Sequence, residues 1–201
     1  MKLHHSPSSP FVRKVMVVAH ELGLADRIEI VKTTAHPIDR NDAIRVENPL
    51  GQVPTLTLAD GRALYDSRVI CEYLDATAGG ALFGTGDARW RAITEQALAD
   101  GLLGAALLTR YEMTLRSDSG RFDAWIQGQM AKVEDALDRF EAILADAGDR
   151  LDIGTITIGC GLGYLDFRFA DLGWREGRPA ASGWFERFGA RPSMVATDPA
   201  S

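Results

Sequence analysis

The chain has 201 residues, enough for one large domain or two small ones. Lys and Arg number 22 and Asp and Glu 28, a formal charge of −6 with no basic run, which excludes the electrostatic footprint of a nucleic-acid binder. Hydrophobic residues at 46% exclude bulk disorder, and two cysteines are too few for a disulfide framework, which points to a reducing, cytoplasmic setting.

The opening residues, MKLHHSPSSP, lack the pattern of a signal peptide, because Arg13 and Lys14 break the apolar run that follows. No apolar stretch approaches the ~20 residues of a membrane-spanning helix, so neither secretion nor a membrane partner is expected.

A short strand is predicted at Lys2 to His5, then a turn-rich loop through Pro10. Phe11, Val12, Val15, Met16, Ala19 and Leu22 recur at helical spacing. Ser9 suits the N-cap of that helix, Pro10 its first turn and Gly23 its end. Ile28 to Lys32 reads as a second strand, and Thr33 to Asn48 as a polar loop with a short helix. Thr55 to Leu58 alternates as a strand, Asp60-Gly61 signals a hairpin, and Ala63 to Tyr65 is the return strand. Val69, Ile70, Tyr73 and Leu74 mark a helix after Asp66-Ser67. This βαβ unit followed by a ββα unit is the order of a thioredoxin-like sheet.

From Ala76 to Gly86 the chain is rich in Gly and Ala and reads as a linker. After it no hairpin signal recurs. A long helix is predicted over Asp87 to Arg116, with bends at Gly101 and Gly104. The clearest amphipathic helix is predicted over Asp123 to Ala147, on Ile126, Met130, Val133, Leu137, Phe140 and Leu144. The stretch Ile153 to Ile158 alternates like a strand, and Gly159, Gly161 and Gly163 follow. Tyr164 stands where a full dinucleotide fingerprint needs glycine. A helix beginning after Asp152 is the preferred reading, with Leu151 and Ile156 flanking its start.

Three places can carry chemistry. The first is the loop-to-helix junction at Ser8 and Ser9. A helix N-terminus and a hydroxyl together can hold a thiolate and lower its pKa, although spacing alone favours a simple N-cap. The second is Val53-Pro54, where a cis proline would present the Val53 backbone as a strand edge for a peptide; an ordinary turn is the competing reading. The third is Asp66-Ser67, which could bind an ammonium and a carboxylate or only cap a helix. The four histidines show no metal-ligand spacing, so no metal is expected. Cys71, beside Ile70 in a helix, reads as packed rather than reactive.

Together, SPSSPFVRKV, NPLGQVPTL, DSRVICEYLD, ADGLLGAALLTRYEMTLR, IGCGLGYLDFRF and the late RPSMVAT resemble the glutathione transferase family along almost the whole chain, most closely its small bacterial members. The resemblance implies an α/β thioredoxin-like glutathione-binding domain at 1–77, a linker at 78–86 and an all-helical substrate-binding domain at 87–201, in a homodimer. It implies that Pro54 is the family's cis proline and that Val53 pairs with the backbone of glutathione. Asp66 and Ser67 would meet its γ-glutamyl end. Ser9 would be the catalytic hydroxyl, with Ser8 as its rival, and His36 or Arg40 would meet the glycine carboxylate. Thr155 stands where the family's capping motif usually has Asp, which implies a weaker cap.

The expected activity is transfer of glutathione, as co-substrate, to a small hydrophobic electrophile, with no metal. Tyr111 and Trp174 are candidate wall residues of the electrophile pocket and stay outside the catalytic set. The alternatives are a glutathione-dependent thiol–disulfide oxidoreductase and a glutathione- or ligand-binding protein without turnover. A hydroxyl at Ser9 cannot form the mixed disulfide that the first of these needs.

Overall fold

The computed structural model describes residues 1–199. These divide into two compact units, residues 1–84 with 191–199, and residues 85–190.

The first unit holds one four-stranded sheet in the order β2-β1-β3-β4. The strands are β1 (Lys2–His5), β2 (Glu29–Lys32), β3 (Thr55–Thr57) and β4 (Ala63–Leu64). β1 runs parallel to β2 and antiparallel to β3, and β3 is antiparallel to β4. Helices α1 (Pro10–Glu21), α2 (Asp42–Arg45) and α3 (Ser67–Ala78) complete the expected thioredoxin-like order. Leu3, Val12, Val15, Val18, Leu56, Ile70 and Leu74 are its buried apolar core.

Local chemistry sets several boundaries. Ser9 caps α1 and Pro10 occupies its first turn, where a missing N–H costs nothing. Gly23 follows α1 at φ +65°, a conformation glycine adopts without steric penalty, and its N–H donates to the His20 carbonyl. At the β3–β4 hairpin, the Leu58 N–H donates to the Arg62 carbonyl and the Arg62 N–H to the Asp60 carboxylate.

The second unit is helical: α4 (Gly86–Leu115), α5 (Asp123–Ala145), α6 (Ile153–Arg168) and α7 (Pro179–Gly189). The single helix α4 runs through both Gly101 and Gly104. Val133, Leu137, Phe140 and Leu144 form the buried stripe of α5. The ambiguous stretch after Asp152 is helix. Every residue from Ile153 to Leu165 is buried, so α6 carries no polar face whose period could reveal it. Its start is a full capping box: the Thr155 N–H donates to Asp152 Oδ1 at 2.9 Å, and the Asp152 N–H donates to Thr155 Oγ1 at 3.0 Å. Threonine thus fills the place expected to weaken the cap.

Packing of α6 against α4 is close at Gly154. A Cβ there would lie 2.8 Å from Glu95 Cβ and 3.0 Å from the Ala92 carbonyl oxygen. Gly154→Ala is therefore expected to destabilise the protein by about 1–3 kcal/mol through overpacking, measured as a lower denaturation midpoint. An unchanged midpoint would show that the two helices can separate freely.

Residues 191–199, expected with the helical domain, lie in the compact unit of the sheet, where α8 (Pro192–Val195) packs on α1. Arg191 Nε donates to Glu21 Oε1 at 2.9 Å, the Ser193 hydroxyl donates to the same oxygen, and Arg13 donates to the Met194 carbonyl. These partners are about 170 residues from Glu21 in the chain, beyond what local pattern can reveal. Hydrogen bonding from Arg191, and then from Ser193, holds the Glu21 carboxyl below its ordinary value of 4.5 despite the opposing effect of burial. A lowered native pKa contributes stability that is present above the unfolded value and lost as pH falls through the native one. Glu21→Gln should flatten that acid-side loss; urea midpoints compared between neutral and acidic pH read it directly.

Candidate functional site

The strand register brings the three candidate places to one end of the sheet. His5 ends β1 and leads into Ser6–Ser9. Thr55 begins β3 opposite His4, so Val53-Pro54 enters at that same end. Leu64 ends β4 opposite Leu56 and leads directly to Asp66-Ser67. β2 leaves there too, since Lys32 pairs with His5, and His36 follows on the flank away from β4.

At the centre, Ser9 Oγ accepts from the Val12 N–H at 3.3 Å. A hydroxyl that accepts one bond still has its own proton to donate. Pro10 has no N–H and Val12 spends its own on Ser9, which leaves the Phe11 N–H as the open donor of the first turn. No acidic side chain stands in that turn to offset the positive end of the helix. Ser8 lies one residue outside the cap, its hydroxyl 3.5 Å from that of Ser6.

The Val53–Pro54 peptide is cis. Pro54 is buried and Val53 half-buried. A buried asparagine holds the loop that leads to it. Asn48 Nδ2 donates to the Gln52 carbonyl at 3.2 Å and to Thr55 Oγ1 at 3.0 Å, while its Oδ1 accepts from the Leu50 N–H at 3.0 Å. The Thr55 hydroxyl donates to the same Gln52 carbonyl at 2.8 Å. Gln52 thus turns its carbonyl inward just before Val53. Asn48 opens the NPLGQVPTL motif, but the sequence reading gave its side chain no role of its own. Its only signal was the Asn-Pro pair of a turn, which does not reveal a side chain bridging both arms of the loop.

On the β4 flank, the Tyr65–Asp66 peptide is also cis. Asp66 caps α3 by accepting from the Arg68 N–H at 3.0 Å. Its carboxylate is further engaged by the Arg68 guanidinium at 2.8 Å. Arg68 is the main cause of the lowered pKa of Asp66, opposed by burial and helped by the charge of Lys14. Lys14, on the inner face of α1, is fully buried. An ammonium arriving at Asp66 would therefore share the carboxylate with Arg68. Ser67 is 2% exposed, and its hydroxyl has no protein partner among the described residues.

His36 is occupied locally. Its Nδ1 accepts from the Ile38 and Asp39 N–H groups at 3.3 and 3.0 Å, so in the neutral ring the proton sits on Nε2. Arg40 donates to the Pro49 carbonyl. Both cysteines are fully buried. Among the described residues no group of three or more His, Cys, Asp or Glu could hold a metal ion, and no helix is long and apolar enough to cross a membrane.

The arrangement gathers at one end of the sheet the hydroxyls of Ser9 and Ser67, the cis Val53–Pro54 entry to β3 and the Asp66 carboxylate. Comparison with known proteins points to a family. Residues 8–77 match the glutathione S-transferase N-terminal domain and residues 123–187 the C-terminal domain. The uncharacterized GST-like protein YibF of Escherichia coli K12 is 32% identical over 204 residues, covering 99% of this chain and 98% of that protein. A glutathione transferase family member from Pseudomonas fluorescens Pf-5, crystallised with bound glutathione, is 43% identical with a TM-score of 0.96, covering 98% of each chain. A glutathione S-transferase from Methylobacterium radiotolerans, in complex with glutathione sulfonate, is 32% identical with a TM-score of 0.88, covering 98% of this chain and 94% of that one. By sequence along nearly its full length, and by the architecture of its thioredoxin-like and helical parts, the chain belongs to the glutathione S-transferase family.

Proposed function

We propose that the protein is a glutathione transferase that activates the thiol of glutathione for attack on a small hydrophobic electrophile. The observation that carries this reading is the meeting, at one sheet end, of Ser9 with a proton to donate, the Val53 edge and the unpartnered Ser67 hydroxyl at the start of α3. The glutathione bound to the 43% identical Pseudomonas relative supports it.

In this reading glutathione lies along Val53–Pro54. Its γ-glutamyl carboxylate takes the Ser67 hydroxyl and the N-terminus of α3, and its ammonium takes Asp66 beside Arg68. His36 Nε2, or the Arg40 guanidinium, meets the glycine carboxylate. The thiol proton passes to solvent. The Ser9 hydroxyl and the open amide end of α1 stabilise the thiolate left behind, each pKa unit of depression requiring about 1.4 kcal/mol. The thiolate pair then forms a carbon–sulfur bond while the electrophile's leaving group departs with its own pair, or a double bond takes up the electrons and later a proton. The homodimer and the cytoplasmic setting belong to the same proposal.

Thiol–disulfide exchange is disfavoured, because Ser9 offers no sulfur and Cys71 and Cys160 are both buried. The deciding experiment is an ultraviolet titration of glutathione bound to the protein, paired with a conjugation assay. A thiolate signal well below the free thiol's range, with product formation, is the expected result. Binding without thiol activation would leave only the non-catalytic reading, and failure to bind would remove both.

A further inference from the structure

Within the helical unit, one cluster has no role in glutathione binding. Arg110 and Tyr111 lie on α4, and Tyr164 and Arg168 lie on α6. Residues 164 and 168 are one helical turn apart, so they share a face. Gly154 of α6 lies against Ala92 and Glu95 of α4, and Gly161 against Leu102, so the two helices run side by side in the same direction and Arg168 stands level with residues 109–110. In keeping with this, the charge of Arg110 acts on Tyr164 and Arg168, and Tyr111 acts on Tyr164.

The nearest acids along the two helices are spent elsewhere: Glu112 meets Arg116 and Asp166 meets Arg175. Neither Arg110 nor Arg168 has a carboxylate partner among the described residues. Elsewhere in the same unit, Arg150, Arg175 and Arg178 each meet a carboxylate at 2.6–2.8 Å. Arg168 lies over the Phe167 ring at 3.8 Å, which engages the face of its guanidinium and leaves the N–H edges. Burial, and then the charge of Arg110, hold Arg168 below the usual guanidinium range. Tyr164 is 3% exposed, yet neither its hydroxyl nor that of Tyr111 has a hydrogen-bond partner among the described residues. Two half-buried like charges beside two unspent hydroxyls favour an anion, which relieves the repulsion and accepts from the donors.

We propose that Arg110, Arg168, Tyr111 and Tyr164 form a carboxylate-binding site, and that the compound it takes is a small aromatic carboxylate. The planar guanidinium edges match the two oxygens of a carboxylate, and the hydroxyls supply further donors. Phe169, half-buried with its ring centroid 6.4 Å from that of Tyr164, provides an apolar face for an attached ring. That this carboxylate belongs to the electrophile rests on the transferase reading above; that the site binds it does not.

The test separates the two. Chloronitrobenzoate and the matching chloronitrobenzamide are titrated calorimetrically into the full-length protein without glutathione. The acid is expected to bind at least about tenfold more tightly, the size of one charge-assisted hydrogen bond. Arg110→Gln and Arg168→Gln should each remove most of that preference and leave amide binding unchanged. If a glutamine variant fails to fold, Tyr164→Phe probes the same site by deleting one donor, with an expected loss of about threefold in the preference. Equal binding of acid and amide to the native protein, or a preference that survives these substitutions, overturns the proposal. Acid-selective binding with no conjugation of either compound would keep the site and reject its assignment to the electrophile instead.

Discussion

Ser9→Ala is expected to raise the pKa of bound glutathione thiol by about one to two units and to lower turnover by about 10- to 100-fold. Both figures follow from losing one hydrogen bond to a charged acceptor, about 1.5–3 kcal/mol. Activation should not vanish, because the amide end of α1 remains and carries about half a positive charge. The same side chain also caps α1, so alanine should cost about 0.5–2 kcal/mol of stability as well. Ser9→Gly separates the effects: glycine keeps capping to within a few tenths of a kcal/mol but lacks the hydroxyl. A glycine variant with native stability and alanine-like kinetics would assign the chemistry to the hydroxyl. Ser8→Ala is the control for the rival position, and it should leave the thiol titration in place. Should Ser8→Ala raise the thiol pKa and Ser9→Ala not, the two serines exchange roles.

The second large effect concerns stability. Arg150→Ala should destabilise the protein by about 3–5 kcal/mol, read as a lower denaturation midpoint, because it leaves buried charge uncompensated. Arg150 meets Glu95 on α4 and Asp152, the N-cap of α6, each at 2.8 Å. Glu95 and Asp152 are both buried. Burial by itself pushes the Arg150 pKa down, but the two carboxylates more than offset this and the net direction is up. Removing Arg150 therefore strands Glu95 and weakens the cap of the helix most deeply buried in the unit. Replacing Arg150 and Glu95 together by methionine should recover most of the loss, since an apolar pair needs no compensation. If the double variant is no better than Arg150→Ala, the loss comes from packing of the arginine stem rather than from charge.

Short-range chemistry was legible wherever one residue decides a local conformation. Ser9-Pro10, Asp60-Gly61 and the Asp152 cap act over two or three residues, and each stands where spacing placed it. The stripe of α5 was legible because one side of that helix meets solvent and the other does not. Burial on every side is why α6 read ambiguously: with no solvent face, periodicity loses its contrast, and its glycines resemble a nucleotide loop. At the candidate site, Ser9, Pro54 and Ser67 could be picked out as residue types in the right local setting. Their partners could not. The unspent Ser67 hydroxyl and the buried Lys14 follow from how the chain closes around them.

Residue order by itself determined the two-part architecture, the strand and helix sequence of the first part and the caps that begin α1, α3 and α6. These depend on neighbours within a turn or two, where backbone hydrogen bonds and side-chain caps compete locally. Only the tertiary structure decided that four loops leave one end of the sheet, that Asn48 turns the Gln52 carbonyl inward before Val53, and that the last segment returns to Glu21 on α1. It likewise set α6 in step with α4, which puts Arg168 level with Arg110. Apart from the Asn48 bridge, which spans four to seven residues, these pairings join residues far apart along the chain, and burial and charge choose among them only after the elements have packed.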